Sequence, residues 1–178
     1  RAKGHDFTLE ALIADPELAQ TFKDGQFATI YLSQRDYHRI HMPIAGKLER
    51  TIHIPGKLYS VSLKTAENIP TLFAENERHV SVFDTAHGKV IVILVGAINV
   101  SSMETVWDGT ITPPYASILK YSDYSHEEIS LEKGEEMGRF NMGSTVIVIT
   151  ENNDLALESQ LKEYHPVKLG ESLLRKVA

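Results

Sequence analysis

The sequence predicts a mostly β protein with short helices, an α+β fold whose β core is a sandwich or barrel. Short apolar runs rich in Val and Ile recur along the chain, and Gly and Pro turn pairs separate them. Helical periodicity is confined to short segments. The 178 residues and the apolar fraction of 42% fit one globular domain that buries a core without crosslinks. We therefore expect a single domain over residues 1–178.

The first predicted elements are two short helices and a strand. Leu9–Ile13 is predicted to be helical with Thr8 or Asp6 as its N-cap. A second helix is predicted to begin at Asp15-Pro16, because proline suits the first helical position. Phe27–Leu32 alternates aromatic and aliphatic residues, which is typical of a strand.

The middle of the chain predicts a second group of strands and another helix. Leu48–Ile54 is a predicted strand that the Pro55-Gly56 turn closes. Leu58–Leu63 has apolar residues at a period of two and predicts a further strand. Ile69–Arg78 is predicted to be a short helix that Pro70 begins.

The remaining segments predict more sheet. Val80–Phe83 and Val90–Val95 form a predicted hairpin, since the turn-forming residues 84–88 lie between them. The other predictions are a continuation of the sheet over Ala97–Val106, a break at Thr112-Pro113-Pro114, an exposed polar stretch over Tyr121–Glu128, strands at Ile129–Leu131 and Val146–Ile149, and a weakly helical pattern over the last ~30 residues.

The composition excludes several classes of function. A net charge of −6 argues against general nucleic-acid binding, which requires a basic face. The absence of cysteine excludes disulfides and thiolate metal sites, so a nucleophile must be a hydroxyl, an amine or a carboxylate. The longest apolar run, Val90–Val95, is far shorter than the ~18 residues of a membrane span.

The Gly143-Ser144 peptide bond is the first candidate for function. It directly precedes the predicted strand Val146–Ile149, and it places a hydroxyl beside a glycine carbonyl that no side chain shields. A serine hydroxyl needs a base in order to act as a nucleophile at neutral pH. Any chemistry at this bond therefore requires a second residue.

The second candidate is the pair His38 and His41, within the run Arg-Asp-Tyr-His-Arg-Ile-His-Met-Pro at residues 35–43. On a helical turn the two rings would share a face, and on a strand they would point to opposite faces. Pro43 favours a turn that leads into a strand. A metal site would need further ligands, and the other histidines form no ligand pattern, so we predict no metal. Taken alone, the pair is better interpreted as ordinary surface or half-buried histidines.

Six motifs in one order change that interpretation. They are residues 35–43, then Ile-Pro-Gly-Lys-Leu-Tyr-Ser-Val at 54–61, Phe-Ala-Glu-Asn-Glu-Arg at 73–78, Glu-Thr-Val-Trp-Asp-Gly-Thr-Ile-Thr-Pro-Pro at 104–114, Lys-Gly-Glu-Glu-Met-Gly-Arg-Phe at 133–140 and Met-Gly-Ser-Thr at 142–145. In this order the chain resembles phosphatidylserine decarboxylase of the bacterial and mitochondrial type, over about residues 1–150. The family's common Leu-Gly-Ser-Thr has Met142 at its first position here, which is a volume-conserving exchange.

The resemblance implies a proenzyme that cleaves itself, so that the single domain is catalytic. The Ser144 hydroxyl attacks the Gly143 carbonyl and forms an ester, and loss of the Ser144 Cα proton then eliminates that ester. The resulting dehydroalanine is hydrolysed to ammonia and an N-terminal pyruvoyl group. The implied products are a large chain of residues 1–143 and a small chain of residues 144–178, which remain associated.

The resemblance also assigns roles in the reaction. It implies decarboxylation of phosphatidylserine to phosphatidylethanolamine and CO2, through a Schiff base between the substrate amine and the pyruvoyl group made from Ser144. His41 is the implied base for cleavage, and His38 is the implied proton donor to the substrate. Ser60 matches a position near the substrate carboxylate, and the alternative interpretation of this residue is an ordinary strand serine. We expect no pyridoxal phosphate, because the pyruvoyl carbonyl is itself an electron sink.

Partners and location follow from the same resemblance. The substrate is a bilayer lipid, so we expect peripheral binding, at the cytoplasmic face of the bacterial inner membrane. An apolar surface for this contact is expected near Ile13, Leu18, Phe22 or the turn over Ile52–Leu58. A homodimer is a further implication, and no nucleic acid is expected as a partner.

Part of the family pattern has no counterpart in this sequence. The family pairs its catalytic histidine with an aspartate in a Pro-Ala-Asp-Gly-type motif well before the histidine run, and such an aspartate would fix the imidazole tautomer. Neither Asp36 nor Asp84 matches that position. The family's N-terminal membrane-contacting helices are also missing, so we expect the chain to lack an N-terminal portion.

Two other functions remain open at this stage. A pyruvoyl-dependent decarboxylase of a soluble amino acid would share the Gly-Ser chemistry but not the Asp-Tyr-His-x-x-His-Met-Pro run. A non-catalytic β module of the lipoyl-carrier type would share the strand and turn around Pro55-Gly56. Such a carrier needs a lysine at an exposed hairpin tip, and the sequence offers no convincing one.

Overall fold

A computed structural model describes residues 8–62, 65, 68–69, 71–98, 102–141, 144–152 and 154–177 of the chain. Within these residues the fold is mostly β with short helices, which confirms the predicted fold class. The strands form a seven-stranded sheet, a four-stranded sheet and a two-stranded ribbon, and their pairings are antiparallel.

The helices and strands are short. The helices with described bounds are α1 (Leu9–Ile13), α2 (Pro16–Thr21) and α3 (Leu72–Glu75). The strands are β1 (Phe27–Leu32), β2 (Arg39–His41), β3 (Gly46–Ile54), β4 (Arg78–Thr85), β5 (Gly88–Val95), β6 (Met103–Thr105), β7 (Gly109–Thr112), β8 (Lys120–Asp123), β9 (Ser130–Leu131), β10 (Glu136–Phe140), β11 (Ser144–Thr150), β12 (Leu155–Leu157) and β13 (Leu174–Lys176). Helices this short depend on packing against the sheets, because their intrinsic propensity is insufficient. None of those in the described ranges is long and apolar enough to cross a membrane.

The large sheet has the strand order β1-β11-β5-β4-β3-β8, and β9 also pairs with β3. The β4–β5 hairpin runs from the pair Arg78 and Val95 to the pair Thr85 and Gly88, which confirms the predicted hairpin. Residues 90–95 of β5 are completely buried. A strand that is apolar along its whole length is typical of burial on both faces, and β5 therefore lies at the centre of the core.

Different layers cover the two faces of the large sheet. On one face the guanidinium of Arg78 donates hydrogen bonds to the carbonyls of Ala11 and Leu12, each at 2.7 Å, and so attaches α1 to the sheet. On the other face the ring of Trp107 packs edge-on against Phe83, with centroids 5.9 Å apart. Trp107 belongs to the turn between β6 and β7, so the four-stranded sheet covers this second face. The order β2-β10-β6-β7 completes that small sheet.

Strand pairing brings the two sheets together at one place. Residues 33–38 join β1 in the large sheet to β2 in the small sheet. In turn, β1 pairs with β11 and β2 pairs with β10. The end of β10 and the start of β11 therefore lie beside the two strands that this link connects.

The local start signals of the helices are confirmed. The Thr8 hydroxyl accepts a hydrogen bond from the Ala11 amide and caps α1, whereas Asp6 lies outside the described residues. The Asp15 carboxylate accepts from the Leu18 amide at 3.0 Å and caps α2, which has Pro16 at its first position. The chain therefore begins both helices where local hydrogen-bonding chemistry predicts.

Two predictions in the middle of the chain are wrong. Residues 58–62 form no strand, because the side chain of Asn76 takes the hydrogen bonds of the Tyr59 backbone that a neighbouring strand would otherwise take. The helix predicted over Ile69–Arg78 is limited to α3, since Asn76 is extended and Arg78 already belongs to β4. Both differences depend on Asn76, whose buried side chain determines the backbone on either side.

Later segments also differ from the predictions. Residues 154–177 contain no helix, because β12 and β13 pair with each other and Pro166 and the positive φ of Gly170 interrupt the segment between them. In the described part of Ala97–Val106 only β6 is a strand, and it pairs with β7 and β10 in the small sheet. The polar stretch that begins at Tyr121 starts inside β8, which adds an exposed edge to β3.

The predicted apolar membrane surface is also wrong. Ile13, Leu18 and Phe22 are buried in the core, where α1 and α2 pack on the large sheet. Ile52 and Ile54 are buried as well, because they pair with Val80 and Arg78 and so lie on the face of the large sheet that α1 covers. These side chains stabilise the fold and do not offer a surface to a lipid.

Arg78 allows a test of this architecture. Burial lowers the pKa of Arg78 to about 10, so the guanidinium stays charged at neutral pH and satisfies the carbonyls at the end of α1. We expect Arg78→Met to lower the free energy of unfolding by roughly 2–4 kcal/mol, because it leaves buried carbonyls without donors. Arg50→Met, at a partly exposed arginine paired with Asp15, should cost less than about 1 kcal/mol. Urea denaturation measures both, and equal losses would contradict this role of Arg78.

Candidate active site

Ser144 lies at the end of a paired strand. Its backbone begins β11 and pairs with Leu32, the last residue of β1. The next residue, Thr145, pairs with Val95 at the end of β5. Gly143 and Met142 lie outside the described residues. The predicted cleavage position is therefore where the chain enters the large sheet from the small sheet.

His38 is fixed beside the same link. Its carbonyl accepts a hydrogen bond from the Phe140 amide at 3.0 Å, and Phe140 precedes Ser144 by only four residues. Both ring nitrogens of His38 are buried and have no hydrogen-bond partner in the described structure. An unpartnered buried imidazole is costly unless something else uses it.

His41 has a defined tautomer. Its Nδ1 lies 2.7 Å from the carbonyl oxygen of Gly134, and because a carbonyl only accepts, Nδ1 carries the proton and donates it. In the neutral ring Nε2 then has the free lone pair and accepts from the Tyr37 hydroxyl at 2.8 Å. The rings of Tyr37 and His41 stack with centroids 5.7 Å apart. A backbone carbonyl and a tyrosine therefore orient this imidazole, and Nε2 is its basic nitrogen.

His38 directly precedes β2 and His41 ends it, and the two side chains project to opposite faces of this extended segment. His38 has the same parity as Ile40, which is buried, whereas His41 has the same parity as Arg39, which is exposed and paired with Glu136. The structure thus follows the strand alternative and not the helical one. In the described parts of the chain no three His, Asp or Glu side chains group into a metal site.

Neither aspartate considered from the sequence hydrogen-bonds to a histidine in the described structure. The Asp36 carboxylate accepts from the Ser33 amide at 2.7 Å, and this bond lowers the pKa of Asp36 and closes the turn before His38. Asp84 pairs with Lys89 at the opposite end of the large sheet from Ser144. Asp36 therefore shapes the link between β1 and β2, and Asp84 is remote from the candidate site.

The position of Ser60 depends on a residue to which the sequence analysis assigned no role. Asn76 is completely buried, and its amide nitrogen donates to the carbonyls of Tyr59 and Gly96 at 2.9 and 2.8 Å. Its Oδ1 accepts from the Tyr59 amide at 3.1 Å. Gly96 directly follows Val95, the partner of Thr145. Asn76 thereby holds the half-buried Ser60 near the strand end that carries Ser144. Its place in the motif at residues 73–78 was the one available sequence signal.

Gly56 makes this close approach feasible. Lys57 exchanges backbone hydrogen bonds with Glu75 and Glu77, each at 2.9 Å, which places the turn directly against the segment after α3. A Cβ atom on Gly56 would lie 2.4 Å from backbone atoms of Glu75 and Glu77. Only glycine fits at that distance, so the Pro55-Gly56 turn positions Ser60 as well as closing β3.

A charged network holds the chain just before the cleavage position. The Glu104 carboxylate accepts from Asn141 Nδ2 at 2.9 Å and from Arg139 Nε at 2.7 Å. These hydrogen bonds, with that of Asn141 the largest, lower the pKa of Glu104. The Asn141 amide also donates to the Ser102 carbonyl at 3.2 Å. The last described residue before Ser144 is thus fixed to β6.

Two buried polar groups lack hydrogen-bond partners in the described structure. They are the Thr145 hydroxyl and the ring of His38, both of whose nitrogens are unpartnered. Thr145 follows residue 144 directly in β11, so its side chain projects to the opposite face of the strand. An imidazole N–H can donate to a carbonyl oxygen, so the unpartnered ring of His38 fits the chemistry of a pyruvoyl group derived from Ser144.

Comparisons with known proteins agree with this geometry. A family model described as phosphatidylserine decarboxylase matches residues 1–175 of the chain. The chain is 49% identical over 176 residues to the phosphatidylserine decarboxylase proenzyme of Pseudomonas fluorescens. The aligned region covers 97% of this chain and 61% of that relative. It is 50% identical over 173 residues to the proenzyme of Acinetobacter baylyi, covering 97% of this chain and 59% of the relative. The proenzyme of Psychromonas ingrahamii is 49% identical over 178 residues, covering 99% of this chain and 62% of the relative. The chain spans about three fifths of the length of these curated relatives.

Proposed function

Because this chain belongs to the phosphatidylserine decarboxylase family, we propose that it is the catalytic part of a self-processing enzyme that converts phosphatidylserine to phosphatidylethanolamine and CO2. The observation that carries the proposal is the convergence of three segments on one strand end. The His38 backbone bonds to Phe140, the Asn76 side chain holds Tyr59 against Gly96, and Ser144 begins β11 between them. The proenzyme names of the relatives support the substrate class and the processing step.

Self-cleavage is the first reaction. The Ser144 hydroxyl gives its proton to a base while its oxygen bonds to the Gly143 carbonyl carbon, and the C–N bond breaks as the nitrogen takes a proton. Removal of the Ser144 Cα proton then breaks the Cβ–O bond and releases the Gly143 carboxylate. One water hydrolyses the remaining dehydroalanine and releases ammonia. His41 is the base in this proposal, because the bond from its Nδ1 to Gly134 leaves the lone pair on Nε2, where the Ser144 hydroxyl replaces the Tyr37 hydroxyl as the donor.

The decarboxylation uses Ser60 and His38 together with a pyruvoyl group at residue 144. A pyruvoyl group at residue 144 supplies the electron sink for the pair released when CO2 leaves. Ser60 donates a hydrogen bond to the substrate carboxylate, and the Asn76 clamp on Tyr59 supports its placement. His38 delivers the proton to the substrate Cα, and its buried ring, which has no other hydrogen-bond partner in the described structure, supports this role.

The large and small chains stay together after cleavage. Residues 144–150 form β11, which pairs along its length with β1 on one side and with β5 on the other. Removing this strand would expose two rows of backbone groups and the apolar side chains of residues 146–149, which are buried. The free-energy cost of this exposure far exceeds the gain in chain entropy that would follow if the small chain separated.

The proposed membrane contact lies close to this site. The Ala116 amide donates to the Glu77 carboxylate at 2.6 Å, which fixes the loop between β7 and β8 next to Asn76. This loop exposes Tyr115 and Ile118, and Ile118 is 74% exposed. Ile98, which follows Gly96 by two residues, is 66% exposed. Exposed apolar groups around the site suit an enzyme that binds peripherally, here proposed for the cytoplasmic face of the bacterial inner membrane, and takes its substrate from the bilayer.

A lipid assay of the full-length protein tests the activity. Phosphatidylserine vesicles should yield phosphatidylethanolamine and CO2, without added pyridoxal phosphate. Free serine, aspartate and histidine should yield no CO2, because the proposed site takes the headgroup of a lipid. Turnover of a free amino acid without turnover of the lipid would favour the soluble-substrate alternative and contradict the proposal.

Ser144→Ala should block both cleavage and activity. The variant keeps the β-strand backbone but has no hydroxyl to attack Gly143, so a denaturing gel should show one unbroken chain and the lipid assay no product. Ser130→Ala is the matched control, because it makes the same substitution at an exposed serine of β9 and should leave cleavage and activity unchanged. A Ser144→Ala protein that still decarboxylates the lipid would contradict the origin of the cofactor.

Separate variants distinguish the two histidines. His38→Ala should still be cleaved but should lose roughly 10²–10⁴-fold in kcat, as expected for removal of a general acid. His41→Ala should remain unbroken in the same gel assay. If His38→Ala is the variant that fails to cleave, the cleavage base is His38 and the proposed division of roles is wrong.

The membrane contact predicts a difference between substrates. Ile118→Ser should lower the rate on phosphatidylserine vesicles several-fold, because one CH₂ moved from water into lipid is worth about 0.8 kcal/mol. The rate on a soluble short-chain phosphatidylserine should stay unchanged. Leu169→Ser is the control, since Leu169 is 63% exposed between β12 and β13. An equal loss on both substrates would argue against a membrane role for the loop.

A further inference from the structure

A polar cavity of about 200 Å³ lies between the large sheet and the segment that carries β7. Its wall on the sheet side comes from three neighbouring strands. His53 pairs with His79 on one side and with Lys120 on the other, and Thr51 pairs with Ser122 in the next row. Directly paired residues of antiparallel strands project to the same face, so these side chains line one wall. Asp108, from the turn before β7, lies opposite.

His79 is the buried polar group of this wall. It is 2% exposed, and neither ring nitrogen has a hydrogen-bond partner in the described structure. Its ring lies edge-on to that of His53, with centroids 5.9 Å apart. Burial, then the charges of His53 and Lys120, lowers the pKa of His79 to about 3. At neutral pH the ring is therefore uncharged and offers one N–H donor and one lone pair.

The carboxylates near the cavity already have donors. Asp108 accepts from the Tyr124 hydroxyl at 2.5 Å. Glu77 lies within 2.8 Å of His53 Nε2 and accepts from the Ala116 amide at 2.6 Å. By contrast, the ammonium of Lys120 forms no ion pair with the described residues. Two groups therefore remain available to a ligand. They are the Lys120 ammonium at the cavity mouth and the His79 N–H at the inner wall.

We propose that this cavity binds a phosphate group, with the Lys120 ammonium and the His79 N–H as donors. A tetrahedral oxyanion can reach donors on different strands at once, which a planar carboxylate does less well. A phosphate that carries a proton can also donate to the lone pair of His79, so both ring nitrogens would be satisfied. The volume is several times the ~30 Å³ that a water molecule occupies in the liquid, which leaves room for the anion.

Two sources could supply the phosphate group, the headgroup of a phospholipid or free inorganic phosphate. His53 links the cavity to Glu77, and Glu77 fixes the exposed loop at Ala116. A lipid bound at that loop would therefore have its headgroup near this cavity. The lipid source depends on the proposed function, whereas the binding of phosphate does not.

Calorimetric titration of the full-length protein with inorganic phosphate tests the proposal. We expect saturable binding that His79→Val and Lys120→Gln each weaken at least tenfold. Lys176→Gln is the matched control, because Lys176 is an exposed lysine on the terminal ribbon, and it should bind as the wild type does. Lys120 is itself exposed, so its variant should fold normally. Absence of saturable binding, or equal affinity of the Lys120→Gln and wild-type proteins, would overturn the proposal.

Kinetics with soluble short-chain phosphatidylserine identify the source. If the headgroup occupies the cavity, both variants should raise KM at least tenfold and leave kcat unchanged. If only free phosphate binds, KM should stay unchanged while the titration shows the loss. A wild-type protein that turns over no lipid would refute the proposed enzyme function but would leave the phosphate titration valid.

Discussion

The insertion of β11 between β1 and β5 is the interaction on which the remaining structure depends. It completes the large sheet through backbone pairing on both sides and buries the apolar residues 146–149 at its centre. It also determines where the chain leaves the sheet, because pairing ends at Ser144 opposite Leu32. A strand in this position cannot shift by one residue, since its whole apolar set would then face the wrong side. The same register that aligns the core therefore fixes the backbone of Ser144, the proposed cleavage position.

The same register explains how distant segments reach one site. Because β2 pairs with β10, the backbone of His38 comes to lie against that of Phe140. The Asn76 side chain then joins Tyr59 to Gly96, one residue beyond the partner of Thr145. The first contact is a backbone hydrogen bond, and the other two are hydrogen bonds from the Asn76 side chain to backbone carbonyls, which are costly to lose. The candidate residues lie at the ends of strands or just beyond them, and the core supports them.

Local chemistry made much of this fold predictable from the sequence. The caps at Thr8 and Asp15, β1 and the β4–β5 hairpin follow from signals within a few residues, and the ordered motifs indicated the family that the comparisons confirm. The errors arise where a distant side chain overrides the local pattern. Asn76 removes the predicted strand at residues 58–63 and ends α3, and the pairing of β12 with β13 replaces a predicted helix. The pairing of His53 with His79 depends on the register of β3 and β4, which no single segment encodes.

The central claim is that Ser144 becomes the electron acceptor of the enzyme, and tandem mass spectrometry of the purified, active, full-length wild-type protein tests it most directly. Under denaturing conditions we expect two chains, the smaller beginning at residue 144 with a ketone in place of its amine. Under native conditions the two should travel as one particle, because β11 remains paired with β1 and β5. An active protein that shows a single unbroken chain with an unmodified serine at position 144 would contradict the account.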